Sequence, residues 1–171
     1  MVGSLWLSHI IHYFWPPPQG QMKLTITSQG LGFQDTTLPN VAIIQAFYSW
    51  VSVVSIKALF ASDASKDDCK ISVAAIDVST GNSIAGLIPH VNSIISAEAN
   101  ALPLALTSFP THDPDIYISS DSLSVLNTLK NWSFKSPIII LHIIQNIQKL
   151  NDKGHVIHLI WCPGHRGIPS Q

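Results

Sequence analysis

The amino-acid sequence predicts an α/β domain built on a mixed, five-stranded sheet with flanking helices. Short apolar segments bounded by turn residues, typical of strands, alternate with longer segments in which apolar residues recur at helical spacing. The first three strand segments are joined by short turns, and the later ones are separated by helical segments. Short turns favour antiparallel pairing and helical crossovers favour parallel pairing, so three antiparallel strands followed by parallel strands are expected.

The antiparallel part is predicted to begin just after residue 55. The segment IKALFAS leads into Asp63, KISVAAIDV follows it, and a short STGN turn precedes SIAGLI. Three apolar segments with such short connections predict a three-stranded meander.

Helices separate the remaining strands. One helix is predicted from about Asn92 to Ser108, and DSLSVLNTLK carries three leucines at helical spacing. A further helix is predicted with Ser136 as its N-cap, Pro137 at its first helical position and Gly154 as its terminator. The segments DIYISS and HVIHLIW, which follow the first and the last of these helices, are predicted to be the fourth and fifth strands.

The N-terminal third of the chain is more ambiguous. Residues 1–55 are predicted to be an extension or linker, because residues 16–39 combine three consecutive prolines with a polar, glycine-containing stretch. The apolar run at 41–60 is about long enough to cross a bilayer, which takes roughly 20 residues. A buried helix followed by a strand explains that run equally well. We favour this second interpretation, because the residues after Lys57 make sense as the first strand of a domain over 56–171.

The charge balance argues against a partner held by general electrostatic attraction. The chain has 9 Lys and Arg against 10 Asp and Glu, which gives a net charge of −1. Only 11% of its residues are charged, and its mean hydropathy is +0.29. A nucleic-acid partner would therefore depend on local features or on metal ions.

Three carboxylates are predicted to converge at one edge of the sheet. Asp63 and Asp121 follow the first and fourth strand segments, and Glu98, the only glutamate, lies in the early turns of the helix between the third and fourth. Three neighbouring carboxylates repel one another, and a divalent cation such as Mg²⁺ or Mn²⁺ removes the conflict. Taken singly, Glu98 is explained as well by a helix N-terminus and Asp121 by an N-cap. Their combination predicts a metal site.

A mobile proton carrier is predicted near the end of the chain. In the segment IWCPGHRGIP, His165 lies on a loop between Gly164 and Gly167. Histidine exchanges protons near neutral pH, and flanking glycines allow the loop to move.

Four segments then carry a family resemblance: FASDASK, SIISAEANALPLAL, IYISSDSLSVLNTL and HLIWCPGHRGI, in this order. Together they resemble the type 1 ribonuclease H domain attached to reverse transcriptases of non-LTR retrotransposons, over roughly residues 56–171. The resemblance implies a ribonuclease H-like fold and hydrolysis of the RNA strand of an RNA–DNA hybrid with two Mg²⁺ ions, for which Mn²⁺ can substitute. Asp63, Glu98 and Asp121 match metal-binding acids, and His165 matches the mobile histidine that handles protons and product release.

Residues that lie near the predicted site in sequence are candidates for substrate contacts. Ser65, Asn92, Ser122 and Arg166 are candidates for the hybrid, although ordinary turn and cap roles explain the three polar residues equally well. Residues 1–55 would then be a degenerate polymerase tail. Neither a membrane nor an obligate protein partner is indicated, and the cytoplasm or the nucleus is favoured.

The sequence departs from the family pattern in two places. The family's fourth acid and last helix follow the histidine motif, whereas this chain ends at GIPSQ, so a C-terminally truncated domain is expected. Pro103 falls inside the helix that presents Glu98, where proline costs roughly 3 kcal/mol unless the helix kinks. Three functions stay open: an active nuclease, a catalytically impaired nucleic-acid-binding remnant of a retroelement, and a membrane-associated protein anchored through residues 41–60.

Overall fold

The computed structural model describes residues 22–66, 70–88 and 94–168. Predictions that concern other residues, the role of Asn92 among them, lie outside the described residues. The described strands are β1 (Leu24–Thr27), β2 (Ala58–Lys66), β3 (Ile71–Asp77), β4 (Ser83–Ile88), β5 (Asp115–Ser120) and β6 (Val156–Trp161).

These strands form one mixed sheet in the order β1-β6-β5-β2-β3-β4. Strands β2, β3 and β4 pair antiparallel, and β1, β6, β5 and β2 pair parallel. The predicted fold class, a mixed sheet with three antiparallel strands followed by parallel strands and flanking helices, is confirmed. The predicted number of five strands is wrong, because the described part of the chain has six.

The additional strand is β1, which lies in the segment predicted to be a linker. It contains only four residues and forms one edge of the sheet, where its main chain pairs with β6 from Leu24↔Ile157 to Thr27↔Ile160. Four residues carry too little periodicity to predict a strand, and the partner that stabilises this one is more than 100 positions away. The division at residue 55 stays a prediction about the origin of the chain. In the structure, β1 belongs to the same sheet as the strands that follow that division.

Four α-helices occur among the described residues: α1 (Asn40–Val54), α2 (Ile94–Ser108), α3 (Leu123–Lys130) and α4 (Ile138–Asp152). The predicted start of α4 is wrong by one position. Pro137 is the N-cap with an extended ψ of 147°, and the Ser136 hydroxyl accepts a hydrogen bond from the main-chain N–H of Ser133. A residue before proline is disfavoured in helical geometry, so Ser136 belongs to the preceding turn.

The helices cover both faces of the sheet. Because side chains alternate along a strand, Phe60 and Ile118 enter the core beneath α2, α3 and α4, whereas Leu59 and Ile160 enter a second core. Helix α1 closes this second core with Ile43 and Phe47, which are fully buried.

The interpretation of residues 41–60 as a helix followed by a strand is therefore confirmed. Across residues 22–66, 70–88 and 94–168, no helix has both the length and the apolar character that crossing a membrane requires.

Candidate functional site

The sheet register brings two of the predicted acids side by side. The parallel pairing of β2 and β5 ends at Ser62↔Ser120, and Asp63 and Asp121 are the next residue on each chain segment. Beyond this point β2 continues to Lys66 but pairs only with β3. The two strands therefore stop pairing at the acids, which lie at the carboxyl end of the paired region.

The third acid comes from α2, which packs against β2 and β3. Glu98 is the fifth residue of α2, and the helix runs without interruption through Pro103 to Ser108. The proline ring removes one main-chain donor from the helix. It does so five positions beyond Glu98, and the carboxylate of Glu98 still reaches the two aspartates.

The three carboxylates form one cluster. One oxygen from each of Asp63, Glu98 and Asp121 lies within 4.8 Å of the other two, and all three residues are half-buried. Two of the buried carboxylate oxygens, Glu98 Oε2 and Asp121 Oδ1, have no hydrogen-bond partner among the described residues. Buried polar atoms are normally satisfied, so this cluster has the donor set of a cation site.

Burial and mutual repulsion raise the pKa of each carboxyl group. The pKa of Glu98 rises from 4.5 to about 8, because burial disfavours the charged form and because Asp121 and Asp63 carry like charges. The pKa of Asp63 is raised by burial and by Asp121, and that of Asp121 is raised by burial. His165 acts in the opposite direction on the pKa of both aspartates. A divalent cation would stabilise the charged form of all three groups.

Contacts around Asp121 fix its position. The indole N–H of Trp161 donates to the main-chain oxygen of Asp121 at 3.0 Å, and so does the N–H of Leu123. The backbone of Gly164 packs directly on the carboxylate, since a Cβ at that position would lie 2.6 Å from Asp121 Oδ2. The carboxylate therefore has little room to move away from the cluster.

The loop after β6 carries His165 to the same edge. His165 is exposed and has a left-handed backbone with φ of 56°, and Gly167 also has a positive φ of 78°. Arg166 donates from Nη1 to Asn40 Oδ1 at 2.7 Å and from Nη2 to the main-chain oxygen of Thr36 at 2.6 Å. These bonds hold the loop against the first residue of α1 and the segment before it, while the imidazole faces solvent.

The residues predicted to contact substrate are distributed differently. Ser65 is exposed on β2 and its hydroxyl lies 2.7 Å from the hydroxyl of Ser72. Ser122 is half-buried beside Asp121, with its hydroxyl 3.3 Å from that of Ser124. Both Nη atoms of Arg166 already donate within the protein, so its contact with a phosphate stays a prediction.

Sequence reasoning missed two residues that position the site, Trp161 and Gly164. The sequence predicts Gly164 only as a source of loop flexibility and Trp161 only as a strand residue. Their contacts join residues about 40 positions apart, so no local pattern reveals them. The only available signal was that both lie within four positions of His165.

Similarity to known proteins is found among solved structures and not among family models or curated sequences. No family model and no curated protein matches the chain. Among solved structures, it is similar to RNase H1 from the archaeon Halobacterium salinarum, with 20% identity and a TM-score of 0.47 over 62% of this chain and 85% of that one. It is also similar to the N-terminal RNase H domain of a Mycobacterium tuberculosis protein, solved as a fusion with maltose-binding protein, with 16% identity and a TM-score of 0.48 over 64% and 86%. A third is LC11-RNase H1, solved in complex with an RNA/DNA hybrid, with 14% identity and a TM-score of 0.48 over 64% and 88%.

Proposed function

We propose that this chain is a metal-dependent nuclease domain of the ribonuclease H type, which hydrolyses the RNA strand of an RNA–DNA hybrid. The observation that carries the proposal is the cluster of Asp63, Glu98 and Asp121 within 4.8 Å, with two buried oxygens unpaired. The same three acids are those that the sequence motifs match to the metal ligands of that family. The motif resemblance extends the proposal to an origin in a non-LTR retrotransposon reverse transcriptase.

The three acids are expected to hold divalent cations, for which Mg²⁺ is the first candidate and Mn²⁺ the second. Carboxylate oxygens suit these hard ions, and within the described residues none of the three acids forms an ion pair. When bound, a pair of such ions would supply an activated water and would stabilise the leaving oxygen of the phosphodiester. The acids would orient that chemistry, because Asp63 lies on β2, Glu98 lies on α2 and the main chain of Asp121 is held by Trp161 and Leu123.

Other residues of the chain would handle protons and the substrate. His165 is exposed at the edge of the cluster, where its imidazole can exchange a proton with solvent or with the leaving group. Lys66 and Lys130 are exposed on elements adjoining the site and can contact backbone phosphates. The hydroxyls of Ser65 and Ser122 are candidates for the 2′-hydroxyl groups that distinguish RNA from DNA.

A second candidate is a nucleic-acid-binding domain with impaired catalysis. Among the described residues the cluster contains three acids, whereas the resemblance implies four. A missing ligand weakens the stabilisation of the transition state, and each 1.4 kcal/mol lost slows the reaction about tenfold. Hybrid binding depends on exposed cations and hydroxyls, so it would survive that loss.

A labelled RNA–DNA hybrid separates the two candidates. Binding is measured by gel shift in Ca²⁺, and cleavage by gel analysis in Mg²⁺ and in Mn²⁺, with Asp63→Asn as the test variant and Asp35→Asn, an exposed aspartate near α1, as the matched control. If the wild-type protein cleaves the hybrid, and Asp63→Asn abolishes this cleavage whereas Asp35→Asn preserves it, the result supports the nuclease function. Binding without cleavage supports the second candidate, and the absence of both contradicts the proposed function.

A further inference from the structure

A cleft of about 370 Å³ lies at the opposite end of the parallel strands from the acids. Its lining includes Leu106 and Phe109 at the end of α2, Ile116 at the start of β5, and Leu150 on α4. Ile116 and Asp121 are five residues apart on an extended strand, which separates the cleft from the acid cluster by roughly 16 Å at about 3.3 Å per residue. The cleft is therefore a separate feature of the fold, and its volume lies in the range of small-molecule sites.

The most informative residue of this cleft is Asn146. It is only 7% exposed and lines the cleft from the buried side of α4. Its carboxamide forms no hydrogen bond to any other residue in the part of the chain that the structure describes. The amide atoms are not among the described side-chain atoms that are both fully buried and unpaired, so they are open to the cleft, where a ligand can pair with them.

Two lysines lie at the rim of the cleft, and no acid of the described part of the chain lines it. Lys149 and Lys153 are both exposed and lie four positions apart on and just beyond α4, so they share one side of the helix with Asn146. Neither lysine forms an ion pair within residues 22–66, 70–88 and 94–168. Two adjacent ammonium groups match the dianionic charge of a phosphate better than the single charge of a carboxylate.

An aromatic ring contributes to the apolar wall of the cleft. The Phe109 ring lines the cleft and is held in place by Phe60, with ring centroids 5.2 Å apart. Nucleobases stack on such aromatic side chains. A carboxamide offers one acceptor beside two donors, which matches the N6 amino group and N7 of adenine, whereas guanine presents two acceptors at the same edge.

We propose that this cleft binds an adenine mononucleotide, with the base between Phe109 and Asn146 and the phosphate on Lys149 and Lys153. The proposal is independent of the nuclease function, because none of these residues belongs to the acid cluster. Adenosine 5′-monophosphate is the probe that contains all three matching groups. Adenosine lacks the phosphate, inorganic phosphate lacks the base, and guanosine 5′-monophosphate changes only the base edge.

The test is isothermal titration of the full chain with each probe, with EDTA present so that no metal bridges a nucleotide to the acids. We expect saturable binding of adenosine 5′-monophosphate, about tenfold or more weaker binding of the guanosine nucleotide, and weak binding of inorganic phosphate alone. Asn146→Leu should lower the affinity for adenosine 5′-monophosphate and for adenosine alike, by about tenfold or more. Replacing both Lys149 and Lys153 by alanine should lower the affinity for the nucleotide about tenfold and leave the affinity for adenosine unchanged.

The double variant Lys70→Ala with Lys135→Ala is the matched control, since it removes two exposed lysines that do not line the cleft. The proposal is overturned if the nucleotide fails to bind at millimolar concentration, if phosphate alone binds as tightly, or if the control weakens binding as much as the cleft lysines do. The paired lysine variant changes only exposed side chains, so it tests the proposal even if Asn146→Leu fails to fold. Thermal melting of every variant confirms that the protein compared is folded.

Discussion

Replacing Gly164 by alanine should damage the acid cluster without touching any of its ligands. The new Cβ would lie 2.6 Å from Asp121 Oδ2, whereas ordinary contacts begin at 3.4 Å, so the carboxylate or the loop must shift by about 0.8 Å. Gly164 has no positive φ, so alanine fits its backbone and the effect is purely steric. The main chain of Asp121 is held by Trp161 and Leu123, and the shift therefore falls on the carboxylate.

The magnitude follows from the strictness of divalent coordination. Mg²⁺ requires ligand oxygens at about 2.0–2.1 Å in near-octahedral geometry, so a displacement of this size removes Asp121 from the site. Loss of the support of a ligand typically lowers metal affinity about 10- to 100-fold. Overpacking should also destabilise the fold by about 1–3 kcal/mol.

The assay measures Mn²⁺ binding by electron paramagnetic resonance, and thermal melting of the metal-free protein is measured in parallel. Gly86→Ala is the matched control, because its Cβ would meet Val73 Cγ2 at an ordinary 4.0 Å on the exposed strand β4. Gly164→Ala should lower the affinity for Mn²⁺ at least tenfold, and Gly86→Ala should leave this affinity unchanged. Equal Mn²⁺ affinity in both variants would refute the view that Gly164 positions a metal ligand.

Three further predictions concern the acids and their loop. Metal-free protein should lose stability as the pH rises from about 5 to about 8. The pKa of Glu98 is 4.5 in the unfolded chain and about 8 in the folded protein, so the protonated carboxyl group stabilises the fold below pH 4.5, and this stabilisation is lost as the pH rises through about 8. Melting temperatures across this range measure the slope, and a stability that rises with pH would contradict the prediction. Mg²⁺ at millimolar concentration should raise the melting temperature of the wild-type protein but not that of Asp63→Asn, and equal metal-induced shifts would argue against Asp63 as a ligand. Arg166→Lys should lower the melting temperature modestly and speed amide hydrogen exchange at His165, because one ammonium cannot replace the two bonds to Asn40 and Thr36; unchanged exchange at His165 would show that Arg166 does not anchor the loop.

Much of the secondary structure was predictable because its signals are local. The segments 83–88 and 115–120 are strands over the predicted residues, since turn residues bound each apolar run on both sides. The helix after the third strand ends at Ser108 as predicted. The convergence of the three acids was also predictable, because each acid lies at or near the end of an apolar element and the motif order limits how those elements connect.

Other features depended on partners distant in sequence. The segment LTIT reads as part of a linker, and it becomes β1 because β6 presents an unpaired edge to it. The predicted substrate contact of Arg166 came from its proximity to His165, whereas the fold places Asn40 and Thr36 within its reach. The start of α4 depended on the ψ angle of Pro137, which the preceding turn sets.

The sequence by itself determined the order of the elements, the alternation of buried and exposed positions, and which acids were available. The tertiary structure alone decided the register Ser62↔Ser120, which aligns Asp63 with Asp121, and the close packing of Gly164 on the Asp121 carboxylate. The physical reason is that hydrophobic periodicity records the environment of each residue along its own helix or strand. Register and contact distance depend instead on main-chain hydrogen bonds and van der Waals packing between segments about 40 to 60 residues apart, and these form only when the whole sheet assembles.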